Sequence, residues 1–372
     1  MDAGSCRHAV HALVVSCALA AGLSGCGTGS RAAPAAPHRL RTGVPNGFEP
    51  EAIAARGAGD YWLLGSVPCH ARRCYAIVRT DNGGRSFTTA AAPALPVTTT
   101  DPSLRLADRR NAFAYVSRPG GPSFATHDGG TTWRQVAIGD VLALTTADGY
   151  VYATTARCSL DRCTGYRLRR SPVSADTWSA STLPFTPGGP ILDLAAKGRA
   201  VWLLGTVAGT REEHDELARS ADGGLTFDTA PGPCYAGLGG RLLPVTGAVW
   251  AVCPTGNLGS AYRSVDGGAS FARLTTPPLV NSARLAAAST NTAVVFGNGA
   301  GSRLLRTTDG GVTWQPARTP HPPTVVSWLG FADSRVGYAL VQTGWDTADR
   351  VERQELWRTT DAGARWRVVR LR

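Results

Sequence analysis

One nine-residue stretch recurs along most of this chain, and units of equal composition repeated at equal spacing must end in equivalent surroundings. Its clearest copy is Arg306-Thr307-Thr308-Asp309-Gly310-Gly311-Val312-Thr313-Trp314. Aligned on the closing aromatic, the other copies run Arg79 to Phe87, Ala125 to Trp133, Arg219 to Phe227, Arg263 to Phe271 and Arg358 to Trp366. A degenerate copy, Arg170 to Trp178, keeps Arg170, Ser171, Thr177 and Trp178 but lacks Asp-Gly-Gly. Successive aromatics lie 43 to 52 residues apart, a period that accommodates about four short strands per unit. The chain therefore reads as all-β, a seven-bladed β-propeller of four-stranded antiparallel blades. The 44 Gly and 24 Pro suit so many turns.

The residue types inside the repeat have structural reasons. Asp bonds neighbouring backbone N–H groups and Gly supplies positive φ cheaply, so Asp-Gly-Gly between strand formers is a hairpin turn. A Ser or Thr two residues before the Asp adds a side-chain bond to that turn. The closing Trp or Phe folds back as an apolar plug between units.

This pattern resembles the Asp-box, or BNR repeat, of the sialidase-like β-propellers, over roughly residues 48 to 372. Two copies depart from it, with Asn82 in place of the Asp and Ala362 in place of the first Gly. The resemblance implies that the box sits at the turn between the third and fourth strand of each blade, away from the functional face. Asn82, Asp128, Asp222, Asp266, Asp309 and Asp361 are accordingly expected as turn residues rather than catalytic acids. Seven such blades behind an export signal are also similar to the photosystem II assembly and stability factors, which implies a non-catalytic role.

The N-terminus addresses the compartment. Arg7 precedes an apolar stretch, Ala12 to Leu23, which is too short for a stable membrane anchor and suited to a signal-peptide core. Leu23-Ser24-Gly25-Cys26 resembles the bacterial lipobox. The expectation is a lipoprotein signal peptide at 1–25, lipid on Cys26, a flexible Ala/Pro-rich tether over 26–47 and the propeller from 48 onward, held at the outer face of the cytoplasmic membrane. Six cysteines then remain in the mature chain, an even number in an exported protein. Cys69–Cys74 and Cys158–Cys163 are expected as local bridges just before a third strand, leaving Cys234–Cys253 to pair within blade five. Zinc is disfavoured by the spacings, and no metal or cofactor is expected.

The formal net charge is +11, with Lys197 the sole lysine. Six arginines, at 79, 170, 219, 263, 306 and 358, occupy one position of the repeat and are spread round the ring. With no basic run and no nucleic-acid module, a nucleic-acid partner is not expected. A monomer is.

Propeller topology sends the loops from strand two to three, and from strand four to the next blade, to one face, and the Asp-Gly-Gly turns to the other. The cysteines belong to the first face, as stapled loops of a binding surface would. Two longer loops lie there: an acidic insert, Thr210 to Glu216, read as a solvated hairpin, and Gly344 to Arg350, whose Trp345 is a candidate stacking platform. Arg105, Arg241 and Arg284 each sit at the start of an innermost strand. Turned toward the channel they would form a cationic mouth for carboxylate or phosphate. A sialidase-type glycosidase, the alternative function, would further require a Tyr nucleophile with its Glu. The seven Glu, at 49, 51, 212, 213, 216, 352 and 355, read as lying off the central strands. The preferred function is a membrane-anchored binding or assembly factor that presents one propeller face to an envelope protein or glycan.

Overall fold

The computed structural model describes residues 40–70, 72–97, 102–118, 120–159, 162–209, 212–275, 279–280, 284–297, 303–343 and 353–372. They form seven antiparallel sheets, each made from one contiguous stretch of chain. Blade one, for example, consists of Glu49–Ala55, Tyr61–Cys69, Arg72–Thr80 and Thr88–Ala90 in that order. The first strands of neighbouring blades lie against one another, so strand one lines the centre and strand four the rim. The fold is a seven-bladed β-propeller.

Its core is distributed over the seven boundaries between blades, each filled by one apolar cluster. Ala54, Trp62 and Leu64 of blade one meet Leu104, Ala112 and Ala114 of blade two, and the same arrangement recurs up to the seventh boundary. There Val336, Tyr338 and Leu340 of blade seven meet Ile53, Tyr61 and Leu63 of blade one. Each closing aromatic of the repeat belongs to the boundary with the preceding blade: Phe87, Trp133, Trp178, Phe227, Phe271, Trp314 and Trp366 each enter a separate cluster.

Closure uses packing rather than a shared strand. Blade seven is complete in its own Val325–Phe331, Gly337–Thr343, Arg353–Thr359 and Arg367–Val369. The last residues of the segment read as a tether instead join blade one: Arg41–Thr42 pairs with the outer strand at Thr88 and Thr89, and Gly43 N donates to Phe87 O at 2.9 Å. These residues extend the rim of blade one because its short fourth strand leaves an unpaired edge. Residues 1–39, with Cys26 and the signal segment, lie outside the described residues.

The repeated turn is built as its composition requires. In blade six, Asp309 Oδ1 accepts from the N–H groups of Val312 and Thr313 at 3.0 Å, while the Thr313 hydroxyl donates to Oδ2 at 2.5 Å. Thr307 Oγ1 donates to Asp309 at 2.7 Å and accepts from Gly311 N at 2.9 Å. Asn82 does the same with its amide oxygen, taking Arg85 N at 3.1 Å and Ser86 N at 3.0 Å. Ala362 stands in the left-handed region at φ 58°, where the equivalent Gly310 has 78°. The degenerate turn of blade three is held instead by Ser171, whose hydroxyl donates to Ala175 O at 2.6 Å.

The repeat's arginine reaches across to the turn of the following blade. Arg79 Nη1 donates to Gly129 O, Arg306 Nε to Ala362 O at 2.8 Å, and Arg358 to Gly83 O at 3.2 Å and Ala58 O at 2.7 Å. Blade two carries Ala125 at this position, and the blade that it faces is the one with the degenerate turn. There His127 approaches Asp176 of blade three at 3.4 Å instead.

Two outcomes follow from these boundaries and turns. Phe87→Ala should lower unfolding free energy by about 3–5 kcal/mol, the usual cost of emptying a buried aromatic site, read from denaturant titration. Thr226, Ser264 and Thr313 hydroxyls, with backbone N–H groups, hold Asp222, Asp266 and Asp309 well below the usual carboxylate range. A depressed folded pKa means stability that is present above the unfolded value and lost on acidification, so the midpoint should fall as pH drops below about 4. Asp309→Asn should fold and show a shallower fall, checked by denaturation followed by circular dichroism between neutral and strongly acid pH.

Candidate functional site

The first strands of the blades surround two cavities stacked along the centre, of about 530 and 380 Å³. The larger is lined by early residues of these strands, such as Glu51, Ser103 and Gly240, and by Ser117 and Gln342 at the ends of second strands. It therefore opens at the face opposite the Asp-Gly-Gly turns. The smaller is lined by late residues such as Leu106, Thr146 and Val245 and opens toward the turns. Ile53, Arg105, Leu144, Asp193, Arg241 and Trp328, each from a different blade, line both and mark the waist between them.

Strand alternation explains why charge stands at this waist. Arg105 lies between buried Leu104 and Leu106, which pack into the blade boundary, so its side chain emerges on the channel side. Its guanidinium is anchored by Nε to Leu144 O and Nη1 to Leu104 O, both at 3.0 Å. Asp193, in Pro187–Lys197, accepts from Leu242 N at 2.6 Å. Burial pushes its carboxyl up, opposed by the charges of Arg241 and Arg105 and by the Leu242 N–H. Arg241 itself is exposed to the channel.

The structure thus brings together two of the three arginines singled out in the sequence. Arg284 lines neither cavity; its Nε donates to Ser327 O at 3.2 Å across the boundary with blade seven, which draws the guanidinium along the wall. At the waist Arg105 and Arg241 stand with Asp193. Asp193 was the residue missed, although a lone acid inside Ile191-Leu192-Asp193-Leu194-Ala195 is a signal that no turn explains. Trp345 and residues 210–211 of the acidic insert lie outside the described residues.

Three further placements depart from expectation. Glu49 and Glu51 lie on the innermost strand of blade one, and Glu51 accepts from the Tyr75 hydroxyl at 3.1 Å. The acidic insert is not a solvated hairpin throughout: Asp215 is 0% exposed, within the strand His214–Ser220. Its Oδ1 accepts from Thr206 Oγ1 at 2.7 Å, and burial pushes its carboxyl up. Disulfides join Cys69–Cys74, Cys158–Cys163 and Cys234–Cys253, but the third links two blades. Cys234 is in Asp228–Tyr235, the outer strand of blade four, and Cys253 is in Ala248–Thr255, the second strand of blade five. The long fourth strand of blade four carries Cys234 over the boundary, into the cluster it shares with Cys253. By strand direction all three bonds sit at the face onto which the larger cavity opens.

Three disulfides in a chain of this kind indicate an extracytoplasmic protein, and the fold makes it a β-propeller. No protein-family model matches the sequence, and no curated protein matches it. Among solved structures, it is similar to YCF48 bound to D1 peptide, with 16% identity, TM-score 0.51 and 87% of this chain and 96% of that one covered. YCF48 from Cyanidioschyzon merolae gives 12% identity and TM-score 0.52 over 87% and 98% of the two chains. The β-propeller domain of the Trilobed protease from Pyrococcus furiosus, which has an open velcro topology, gives 6% identity and TM-score 0.57 over 88% and 97%. At these identities the likeness is one of fold.

The raised pKa of Asp193 carries a sign. The folded state binds that proton more tightly than the unfolded state, so ionisation costs stability as pH rises from the unfolded value through the folded one. Asp193→Asn, which keeps an acceptor for Leu242 N–H, should therefore raise the denaturation midpoint at pH 7 and leave it unchanged below about pH 4. Destabilisation at pH 7 would show instead that the ionised carboxylate is held favourably by Arg241.

Proposed function

We propose that this chain is a non-catalytic, exported binding or assembly factor, anchored through lipid on Cys26 at the outer face of the cytoplasmic membrane. It takes a segment of a partner protein over the channel mouth. The observation that carries this reading is the Arg105–Asp193–Arg241 constellation, set on the innermost strands beneath a polar cavity of about 530 Å³. Two guanidinium groups and a carboxyl on rigid strands can pair with a peptide's own polar groups at little ordering cost. Gln354, bonded to Ser327 Oγ at 3.1 Å, and Gln342 add amides to the same wall. A propeller of similar fold, YCF48, has been solved bound to D1 peptide, and the three disulfides pin the loops around the mouth.

A photo-crosslinker placed at Ser103 should capture one envelope protein. Arg241→Glu should weaken that partner's binding by at least about tenfold, as expected for a desolvated charge at an interface centre, measured by titration calorimetry with the purified partner. Binding unchanged in Arg241→Glu would move the site away from the channel.

One observation favours a second reading, glycoside hydrolysis of sialidase type: the Tyr75–Glu51 hydrogen bond places a phenol and a carboxylate together beside the mouth. Release of a fluorogenic aglycone from a sialoside, lost in Tyr75→Phe, would establish that reading and set aside the binding one.

A further inference from the structure

The rim where blades six, seven and one meet carries an excess of positive charge. Where the chain leaves blade six, Arg318 forms a parallel backbone bridge with Arg365 of blade seven. Arg318 N donates to Ala364 O at 2.9 Å and Trp366 N to Arg318 O at 2.8 Å. Residues opposed in such a bridge hold their Cβ atoms about 5 Å apart, where like charges repel. The backbone thus fixes two guanidinium groups side by side.

Among the described residues, the ion pairs include none of Arg318, Arg365, Arg367 and Arg370. All four are exposed. One acid, Asp361, stands among them: it lines the larger of the two cavities here and interacts electrostatically with Arg365 and Arg306, while its Oδ1 is used in the turn, accepting from Thr359 Oγ1 and Arg365 N, both at 2.9 Å. Two cavities open here and share Arg365, one of about 280 Å³ that also has Arg306 and Arg318, the other of about 560 Å³ with Arg358, Arg367 and Arg370. Val312 and Val368 stand beside them, 69% and 40% exposed.

We propose that this rim is a binding site for the phosphate groups of an anionic lipid bilayer. Guanidinium groups bind phosphate bidentately, and each arginine near an anionic membrane surface contributes about 1 kcal/mol. Exposed valines among the arginines fit the boundary between headgroups and acyl chains, where an aliphatic side chain has somewhere to go; a fully hydrated soluble anion offers them nothing. Docking by this rim leaves the channel mouth uncovered. It does not depend on the lipid at Cys26, nor on what the channel binds.

Co-sedimentation tests it, using the full chain with Cys26→Ser so that no acyl chain contributes. Vesicles of phosphatidylglycerol mixed with phosphatidylcholine should bind the protein, and vesicles of phosphatidylcholine alone should not. Replacing Arg318, Arg365, Arg367 and Arg370 together by Gln should weaken binding by on the order of 1,000-fold. A control losing the same charge at exposed Arg41, Arg110, Arg134 and Arg167 should stay within about threefold of the parent if the rim is the site. Should the quadruple variant fail to fold, Arg365→Gln alone should weaken binding about fivefold. Equal weakening in both quadruple variants, or no preference for phosphatidylglycerol, would overturn the proposal. So would displacement by inorganic phosphate but not by chloride at equal ionic strength, which would make the rim a soluble-phosphate site.

Discussion

Everything in this molecule depends on side-chain packing across the seven blade boundaries. Among the described residues no strand is lent from the end of the chain to its beginning, so the ring closes on the packing of the seventh boundary and on the Arg358 hydrogen bonds to Gly83 and Ala58. Tyr61 and Tyr338 are both fully buried there, with ring centroids 4.7 Å apart. A sheet of four short strands cannot bury both of its faces by itself. Each blade is stable because two neighbours cover it, which makes the ring cooperative in a way that a single blade is not.

The arginine of the repeat adds a directional link to this non-directional packing. Its guanidinium comes close to the next blade's turn: a Cβ on Gly310 would lie within bonding distance of the Arg263 guanidinium, whereas at the blade-seven turn Arg306 bonds Ala362 O although that position carries a Cβ. Arginine and turn therefore form one link divided between two blades. At the boundary between blades two and three Ala125 stands where the arginine would be, facing the turn closed by Ser171.

The candidate site uses the rigidity so obtained. Arg105 and Asp193 are each tied to backbone of a neighbouring blade, by Leu144 O and by Leu242 N, so their geometry is set by ring closure rather than by loops. The Cys234–Cys253 bond strengthens the boundary between blades four and five, which flank the Asp193–Arg241 pair. Stapling and charge placement thus serve the same face.

What the sequence determined by itself was everything local and repeated. The turn chemistry of Asp309 and Asn82, the plug at Phe87 or Trp366, the blade count and the two short-range cysteine pairs all follow from residues a few positions apart, or from a spacing that recurs. What only the tertiary structure decided lies between units. That Arg284 turns to Ser327 while Arg241 stays in the channel, that Asp193 stands with Arg105, and that Cys234 crosses to blade five depend on how long each strand runs and what the adjacent blade offers it. The same holds for Arg318 and Arg365, nearly fifty residues apart and locked side by side by two backbone hydrogen bonds. Periodicity reports that blades are alike, and a site is made where they differ.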